Sequence, residues 1–120
     1  MKLPIKIIMP VLIISLCLAC ASSRTLEQSF SSIQDGMSRE NVKGIMGKPE
    51  RSDTGALPKR PFFGPQESLT QFLKPGDPYE EWQYSDRETI YLIWFGSVSH
   101  GPQEIWKVIT KSSHPRGAVF

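Results

Sequence analysis

The feature that most limits what this chain can fold into is an uncharged, apolar stretch from Ile7 to Ser23, which follows Lys2 and Lys6. A positively charged start, an apolar centre and an end rich in small residues are the pattern of a secretory signal. The stretch is at the short limit for a membrane-spanning helix, so an uncut anchor is the alternative. Pro10 and the small residues at the end favour cleavage, and we expect residues 1–19 to be a signal peptide.

The end of this stretch, Leu18-Ala19-Cys20, resembles a bacterial lipoprotein signal. In such signals the cysteine after a small residue is lipidated on its thiol and becomes the new N-terminus. The resemblance implies an acylated Cys20 followed by a short tether, residues 20–24. Each acyl methylene buried in the bilayer contributes about 0.8 kcal/mol, so several chains make attachment permanent. Ala21 is similar to the outer-membrane case, since Asp at this position retains many lipoproteins at the inner membrane.

The charge of the chain depends on this processing. The sequence has 120 residues, with 14 Lys and Arg against 12 Asp and Glu. Loss of Lys2 and Lys6 leaves 12 basic residues, equal to the number of acidic ones. A chain without net positive charge gives no sign of nucleic-acid binding. Residues 20–120 suffice for one hydrophobic core, which excludes a multidomain enzyme.

Two short helices are predicted at the start of the mature chain. Leu26, Phe30 and Ile33 have the i, i+4, i+7 spacing of one helix face, and Asp35-Gly36 ends that helix. The second helix has clear start and stop signals: the cap Ser38, the hydrophobic staple Met37 and Val42, and the stop Gly47-Lys48-Pro49. Two helices joined by one turn predict a hairpin that covers an apolar surface.

Three strands are predicted in the second half of the chain, and their alternation indicates an antiparallel sheet. They are Tyr79–Tyr84, Thr89–Phe95 and Glu104–Lys111. The second strand is apolar on both sides, which is typical of a central strand. The domain is therefore predicted to be residues 25–111, followed by a tail, residues 112–120.

One tryptophan lies on each strand, at positions 82, 94 and 106. We expect at least two of them to pack in the core. On the third strand, regular alternation places Trp106, Val108 and Thr110 on the same face.

Residues 50–78 are predicted to be a long loop, because the chain there is rich in proline. Within it, only Gln66–Leu73 has the spacing of a short helix, with Leu69, Phe72 and Leu73 on its apolar side. Lys74–Asp77 fits a type II turn.

The titratable residues do not predict a catalytic or metal site. Glu80 and Glu81 are neighbours on a strand and point to opposite faces, so they cannot form a carboxylate pair. His100 and His114 lie in predicted loops and are too isolated to bind a metal. We expect a protein that is not an enzyme and that needs no cofactor and no metal.

A binding surface is predicted instead in the long loop. Lys59, Arg60, Phe62 and Phe63 place two cations beside two aromatic rings, as in a membrane-surface or partner contact. The alternative, which we favour, is that Phe62 and Phe63 plug an open edge of the sheet.

The order of these elements resembles the bacterial SmpA/OmlA (BamE-like) outer-membrane lipoprotein family. That family reads G-M-[ST] at the start of its second helix, G-x-P at the end of that helix and W-x-Y on a strand. The matching residues are Gly36, Met37, Ser38, Gly47, Pro49, Trp82 and Tyr84. The match runs in order from about Phe30 to Lys111.

The resemblance implies an α+β fold in which a two-helix hairpin packs on a three-stranded antiparallel sheet. It also implies a non-catalytic accessory of the machinery that assembles β-barrel proteins, anchored on the periplasmic side of the outer membrane. Its expected partners are the lipoproteins and barrel of that machinery, and membrane lipid through Cys20. Two differences from the family are the length of loop 50–78 and a broad hairpin at Gly96–Gln103.

A function of another class is also compatible with this architecture. The β-lactamase inhibitory proteins look similar, because they pack helices on an antiparallel sheet whose exposed face carries aromatic residues. The alternative is therefore a protein inhibitor of a periplasmic enzyme. Exposed Trp or Tyr side chains on the sheet favour inhibition, whereas a covered sheet with a prominent loop favours the scaffold.

Overall fold

The computed structural model describes residues 24–59, 64–100 and 103–118, and of residues 98–100 and 103 it describes the backbone alone. The predicted signal peptide and Cys20 lie outside the described residues. The elements in chain order are α1 (Leu26–Ser31), α2 (Arg39–Met46), β1 (Arg51–Ala56), a 3-10 segment (Pro65–Gln71), β2 (Pro78–Ser85), β3 (Thr89–His100) and β4 (Gln103–Pro115). The predicted α+β class is confirmed.

Side-chain caps determine where both helices begin. At α1, the Thr25 hydroxyl accepts from the Gln28 N–H at 3.2 Å, and the Gln28 side chain accepts from the Thr25 N–H at 3.1 Å. At α2, Ser38 and Asn41 make the same reciprocal pair, so the prediction that Ser38 caps this helix is confirmed. Gly47 ends α2 with a φ of 83°.

The predicted end of α1 is wrong. The helix stops at Ser31, and the chain then turns instead of continuing to Asp35-Gly36. Gly36 has a φ of 89° and donates its N–H to the Val108 carbonyl at 2.8 Å. Because the Gly36 N–H makes this hydrogen bond to β4, it cannot also make the helical hydrogen bond that a longer α1 would need.

The sheet has four antiparallel strands in the order β1-β2-β3-β4. The prediction of a three-stranded sheet therefore missed one strand. The additional strand, β1, lies inside the predicted loop 50–78 and pairs from Arg51↔Gln83 to Ala56↔Pro78. Its sequence is polar and its side chains are mostly exposed, so it shows no alternation of apolar residues. It forms because β2 provides an edge whose backbone groups need partners.

The hairpin of β3 and β4 is longer than predicted. Its pairing runs from Thr89↔Pro115 to His100↔Gln103, so the broad loop expected at Gly96–Gln103 is mostly paired strand. Residues 112–115 of the predicted tail also belong to β4. Both histidines predicted in loops, His100 and His114, lie on strands.

Because of a register shift between Trp94 and Phe95, the predicted assignment of β4 residues to the two sheet faces is wrong beyond Val108. Trp94 pairs with Thr110 whereas Phe95 pairs with Val108, which leaves one additional residue on β4. Such a bulge reverses the alternation beyond it. Thr110 therefore shares a face with Trp94 and not, as predicted, with Val108.

Hydrophobic clusters cover both faces of the sheet, and β3 contributes to both of them. The helix face is covered by α1 and α2, and its buried members are Phe30, Ile33, Val42, Trp82, Tyr84, Tyr91, Ile93, Phe95 and Val108. The second face is covered by the 3-10 segment and the residue after β1, and its buried members are Leu57, Leu69, Leu92 and Trp94. The prediction that β3 is central is confirmed, as is the burial of two tryptophans.

Two details of the long loop differ from expectation. The predicted helix Gln66–Leu73 is a 3-10 helix that begins at Pro65. Leu69 is fully buried on its apolar side, but Phe72 is 50% exposed. The tighter 3-10 geometry rotates residues away from the positions that α-helical spacing gives them.

Candidate functional site

The motif residues at the end of α2 and on β2 meet in the folded chain. The Tyr84 hydroxyl donates to the Gly47 carbonyl at 2.8 Å, which ties the stop of α2 to the sheet. Burial raises the pKa of Tyr84 to about 12. Next to this bond, the Glu50 carboxylate accepts from the Ser85 N–H at 3.1 Å and from its hydroxyl at 2.8 Å.

The motif residues between the helices attach to the opposite edge of the sheet. Gly36 donates its N–H to Val108, and the Val108 N–H donates to the Met37 carbonyl at 2.9 Å. Ser38 forms an isolated bridge with Lys107. The Gly36-Met37-Ser38 motif therefore bonds to the backbone of β4 as well as starting α2.

Two adjacent glutamates hold the indole groups of two tryptophans, one on each face of the sheet. Glu80 accepts from the Trp82 indole N–H at 2.6 Å on the helix face. Glu81 accepts from the Trp94 indole N–H at 2.7 Å and from the Gln66 amide at 3.3 Å on the second face. The predicted opposite orientation of the two carboxylates is confirmed. Both side chains stabilise the core, because a buried indole N–H needs an acceptor.

Arg39, which no sequence pattern singled out, connects three elements. Its guanidinium donates to Glu80 at 2.8 Å and lies 5.5 Å from the ring centroid of Trp106. One side chain thus links α2 to both β2 and β4. The signal available in the sequence was the position of Arg39 in the first turn of α2, but its partners become evident only from the sheet register.

Lys111 has a similar connecting role at α1. Its ammonium donates to the Phe30 carbonyl at 2.7 Å and lies 4.7 Å from the centroid of the Phe30 ring. Burial lowers the pKa of Lys111, and nearby Asp35 opposes that effect. The bulge on β4 turns this side chain towards the helices.

The turn between β2 and β3 is organised by Asp86. Its carboxylate accepts from the N–H groups of Glu88 and Thr89 at 2.9 and 2.8 Å and from the Tyr91 hydroxyl at 2.9 Å. These hydrogen bonds, with a smaller contribution from Arg116, lower the pKa of Asp86. The Asp86 carboxylate therefore holds the turn that joins β2 to β3.

The predicted contact loop is described only at its start. Lys59 is exposed, and it follows Leu57, whose N–H donates to the Asp77 carbonyl at 2.9 Å. Arg60, Phe62 and Phe63 lie outside the described residues, as does the predicted plug. Lys59 therefore lies at the end of the sheet where β2 begins, opposite the turn at Asp86.

Two grooves on the described surface are open and polar. One of about 500 Å³ lies beside β1 and includes Asp53 and Glu81, and another of about 500 Å³ includes Glu27, Asp86 and Glu88. The described residues hold no group of three His, Cys, Asp or Glu side chains placed to bind a metal. Among the same residues, no helix combines the length and apolar character needed to cross a membrane.

Comparison with known proteins identifies no relative: no family model, no curated protein and no solved structure matches this chain. The resemblance to the SmpA/OmlA family therefore rests on the motif residues alone.

Proposed function

We propose that this protein is a non-catalytic, lipid-anchored envelope protein that serves as an accessory or scaffold in the assembly of outer-membrane β-barrel proteins. It is anchored through acylated Cys20 on the periplasmic side of the outer membrane. Its partners are the lipoproteins or the barrel of the assembly machinery.

One observation carries this proposal: the residues that match the family motifs form one connected unit. Tyr84 of the W-x-Y motif bonds to Gly47 of the G-x-P motif, and Met37 of the G-M-S motif packs against the hydrophobic cluster that contains Trp82 and Tyr84. Short motifs that occur by chance have no reason to make specific contacts with one another. Their contacts support a shared architecture, although architecture alone does not determine a partner.

The covered sheet supports a scaffold over the alternative of an enzyme inhibitor. An inhibitor of the kind considered presents aromatic side chains on an open sheet face. Here Trp82 and Trp94 are buried, and each donates its indole N–H inside the protein. The adjacent glutamates, a residue pair often used in catalysis, are occupied in holding these indoles.

The position of α1 indicates how an anchored chain would be oriented. Glu27 in α1 shares a groove with Asp86 and Glu88 at the turn end of the sheet. Because an extended chain spans at most about 3.6 Å per residue, the tether 20–24 reaches about 18 Å. The turn end would then lie close to the membrane, and Lys59, at the opposite end, would point into the periplasm. This orientation favours a protein partner over a membrane surface for the loop that begins at Lys59.

The test is an affinity purification of the tagged full-length protein from its native envelope after chemical cross-linking, with mass spectrometry of bait and prey. We expect an acylated Cys20 and co-purification of a large barrel protein with companion lipoproteins. Recovery of one soluble enzyme, or of no protein, from a correctly acylated bait would contradict the assembly role. Cys20→Ser should release the domain from membranes or leave an uncleaved precursor. A variant that is cleaved and still fractionates with membranes would contradict the anchor.

Two further variants test the loop. Phe62→Ser combined with Phe63→Ser distinguishes the two roles considered for this loop: loss of partner recovery at an unchanged melting temperature supports the contact surface. Phe72→Ser is the matched control, since Phe72 is an exposed aromatic side chain that follows the 3-10 segment. Partner loss in both variants would show a general loss of exposed aromatic surface, and a lowered melting temperature in the double variant would favour the plug.

A further inference from the structure

The two edges of the sheet differ in how their backbone groups are satisfied. On β4, the backbone of Val108 is bonded to Gly36 and Met37, and Lys107 forms a bridge with Ser38. The connection between the helices therefore covers this edge around Lys107 and Val108. The outer edge of β1 has no such cover among the described residues.

The register of β1 shows which of its groups face outward. Leu57 donates its N–H to Asp77 in the same register as the β1–β2 ladder. Because bonding direction alternates along an antiparallel strand, Ser52 and Thr54 direct their N–H and C=O groups away from β2. Within the described part of the chain, these groups have no backbone partner, and they form a template for another strand.

The side chains of β1 identify the strand that fits this template best. Arg51 and Asp53 lie on either side of Ser52, on the same face, and form an ion pair of 3.1 Å. Their side chains are 68% and 52% exposed, so both remain available to a neighbour. The sequence Arg-Ser-Asp is complementary to itself when two copies run antiparallel.

We propose that β1 is a self-association edge, at which two copies of this chain pair antiparallel about a two-fold axis through Ser52. In this register, Arg51 of each copy lies opposite Asp53 of the other, and the two sheets become continuous. Sliding one strand by two residues in either direction places Asp53 opposite Asp53 or Arg51 opposite Arg51. Like charges directly opposite are unfavourable, so the side chains select the register.

This pairing is short and polar, and the dimer is accordingly weak and reversible. Interfaces that bury less than about 1,200 Å² are typical of transient complexes. The inference goes beyond the proposed function and does not rest on it, since neither Cys20 nor an assembly partner enters the argument.

Charge reversal on full-length protein in detergent gives the first test, with self-association measured by sedimentation equilibrium. Arg51→Asp alone and Asp53→Arg alone should each weaken self-association about tenfold or more, because opposite charges become like charges. An equimolar mixture of the two variants should associate about as well as the original protein. In the mixed pair one strand carries two acidic side chains and the other two basic ones, so every facing pair again joins opposite charges.

The mixture is decisive because both single variants have lost the ion pair within their own chain. Recovery on mixing can come only from contacts between copies. Failure of the mixture to recover, or self-association that neither substitution changes, would overturn the proposal. Thermal melts of each variant check that folding is intact, which is expected because both side chains are exposed.

Disulfide trapping tests the register. Residues that exchange both backbone hydrogen bonds across antiparallel strands have Cα atoms about 5.5 Å apart, within the range of a disulfide. Ser52→Cys should therefore give a covalent dimer on mild oxidation, above the background of the original chain with its Cys17 and Cys20. Thr54→Cys is the matched control, because the two copies of Thr54 lie about 14 Å apart in this register.

Equal or stronger trapping through Thr54→Cys would overturn the register. Absence of trapping at both positions would overturn self-association. When the same Ser52→Cys variant is oxidised in the native envelope, cross-linking to a different protein in place of a second copy would show that another strand occupies this edge, which would also overturn the proposal.

Discussion

At the scale of single residues, the Tyr84 hydroxyl makes a hydrogen bond that joins the end of α2 to β2, and its pKa differs between the folded and the unfolded chain. Its hydroxyl donates to Gly47 at 2.8 Å, and its pKa in the folded chain is raised from 10.0 to about 12. The folded state binds the hydroxyl proton more tightly than the unfolded state. The contribution of the protonated hydroxyl to the free energy of unfolding is therefore complete below pH 10 and is lost as the pH rises through 12.

Tyr84→Phe should therefore lower the free energy of unfolding at pH 7 by about 1 kcal/mol. The decline in stability between pH 10 and pH 12 should also become shallower, although burial also raises the pKa of Tyr79 and Tyr91. Urea unfolding at pH 7, 10 and 11.5 measures both effects. An unchanged alkaline decline in the variant would show that the proton on Tyr84 is not linked to folding.

The contacts of Glu80 predict that its replacement by Ala should destabilise the protein more than its replacement by Gln. It accepts from Trp82 at 2.6 Å and pairs with Arg39 at 2.8 Å, and it is largely buried. Glu80→Ala leaves both donors without their acceptor and should cost about 2–4 kcal/mol of unfolding free energy. Glu80→Gln retains an acceptor for the indole and should cost clearly less. Equal losses in the two variants, measured by chemical denaturation, would contradict the role assigned to the indole bond.

At the scale of elements, two glycines in and after α2 test how that helix ends. Gly44 lies inside the helix, and Gly47 follows it with a φ of 83°, and a methyl group at either position would meet no atom within 4 Å. Steric clashes therefore do not contribute, and the backbone conformation alone determines how each substitution changes stability. Gly44→Ala should stabilise the protein by about 0.5–1 kcal/mol. Gly47→Ala should destabilise it by about 1–3 kcal/mol, because its φ of 83° and ψ of −168° lie in a region that essentially only glycine adopts. Thermal unfolding of the pair measures the difference, and shifts of the same sign would contradict this assignment of the helix end.

The same elements show what the sequence could predict. The start and end of α2 depend on Ser38 and Gly47, residues next to the backbone that they control, and both were predicted correctly. β1 was missed, because its reason to form lies more than twenty residues away on β2. Gly55 illustrates this: an added Cβ would lie 2.9 Å from the Tyr79 ring, so this glycine allows close approach between strands and is not a turn signal.

The contacts of the candidate site follow the same rule. The positions of Gly36, Gly47 and Tyr84 were recognised as motif residues, but the bonds from Tyr84 to Gly47 and from Gly36 to Val108 depend on the sheet register. The pairing of Glu81 with Trp94 is likewise a cross-strand pair. A bulge on β4 then decides which face Lys111 occupies. Sequence patterns therefore indicated part of the site, whereas long-range pairing determined the partners of its residues and brought in Arg39.

At the scale of the whole molecule, β3 makes the two hydrophobic clusters one cooperative unit. Alternate residues of this strand are buried in the cluster under the helices and in the cluster under the 3-10 segment. Neither cluster can lose its packing without disturbing the same backbone. Small single domains with such a shared core unfold in one step.

We therefore expect Ile33→Ala, under the helices, and Leu69→Ala, on the second face, to lower the midpoint of one common unfolding transition. Ile33 is 2% exposed and Leu69 is fully buried, so each variant should lose about 2–5 kcal/mol of unfolding free energy. Circular dichroism and tryptophan fluorescence should report the same midpoint in both variants, because the sheet and the indoles of Trp82 and Trp94 belong to one unit. Separate midpoints in Leu69→Ala would mean that the 3-10 segment detaches by itself, and the second face would then be a surface that opens while the motif residues under the helices stay folded.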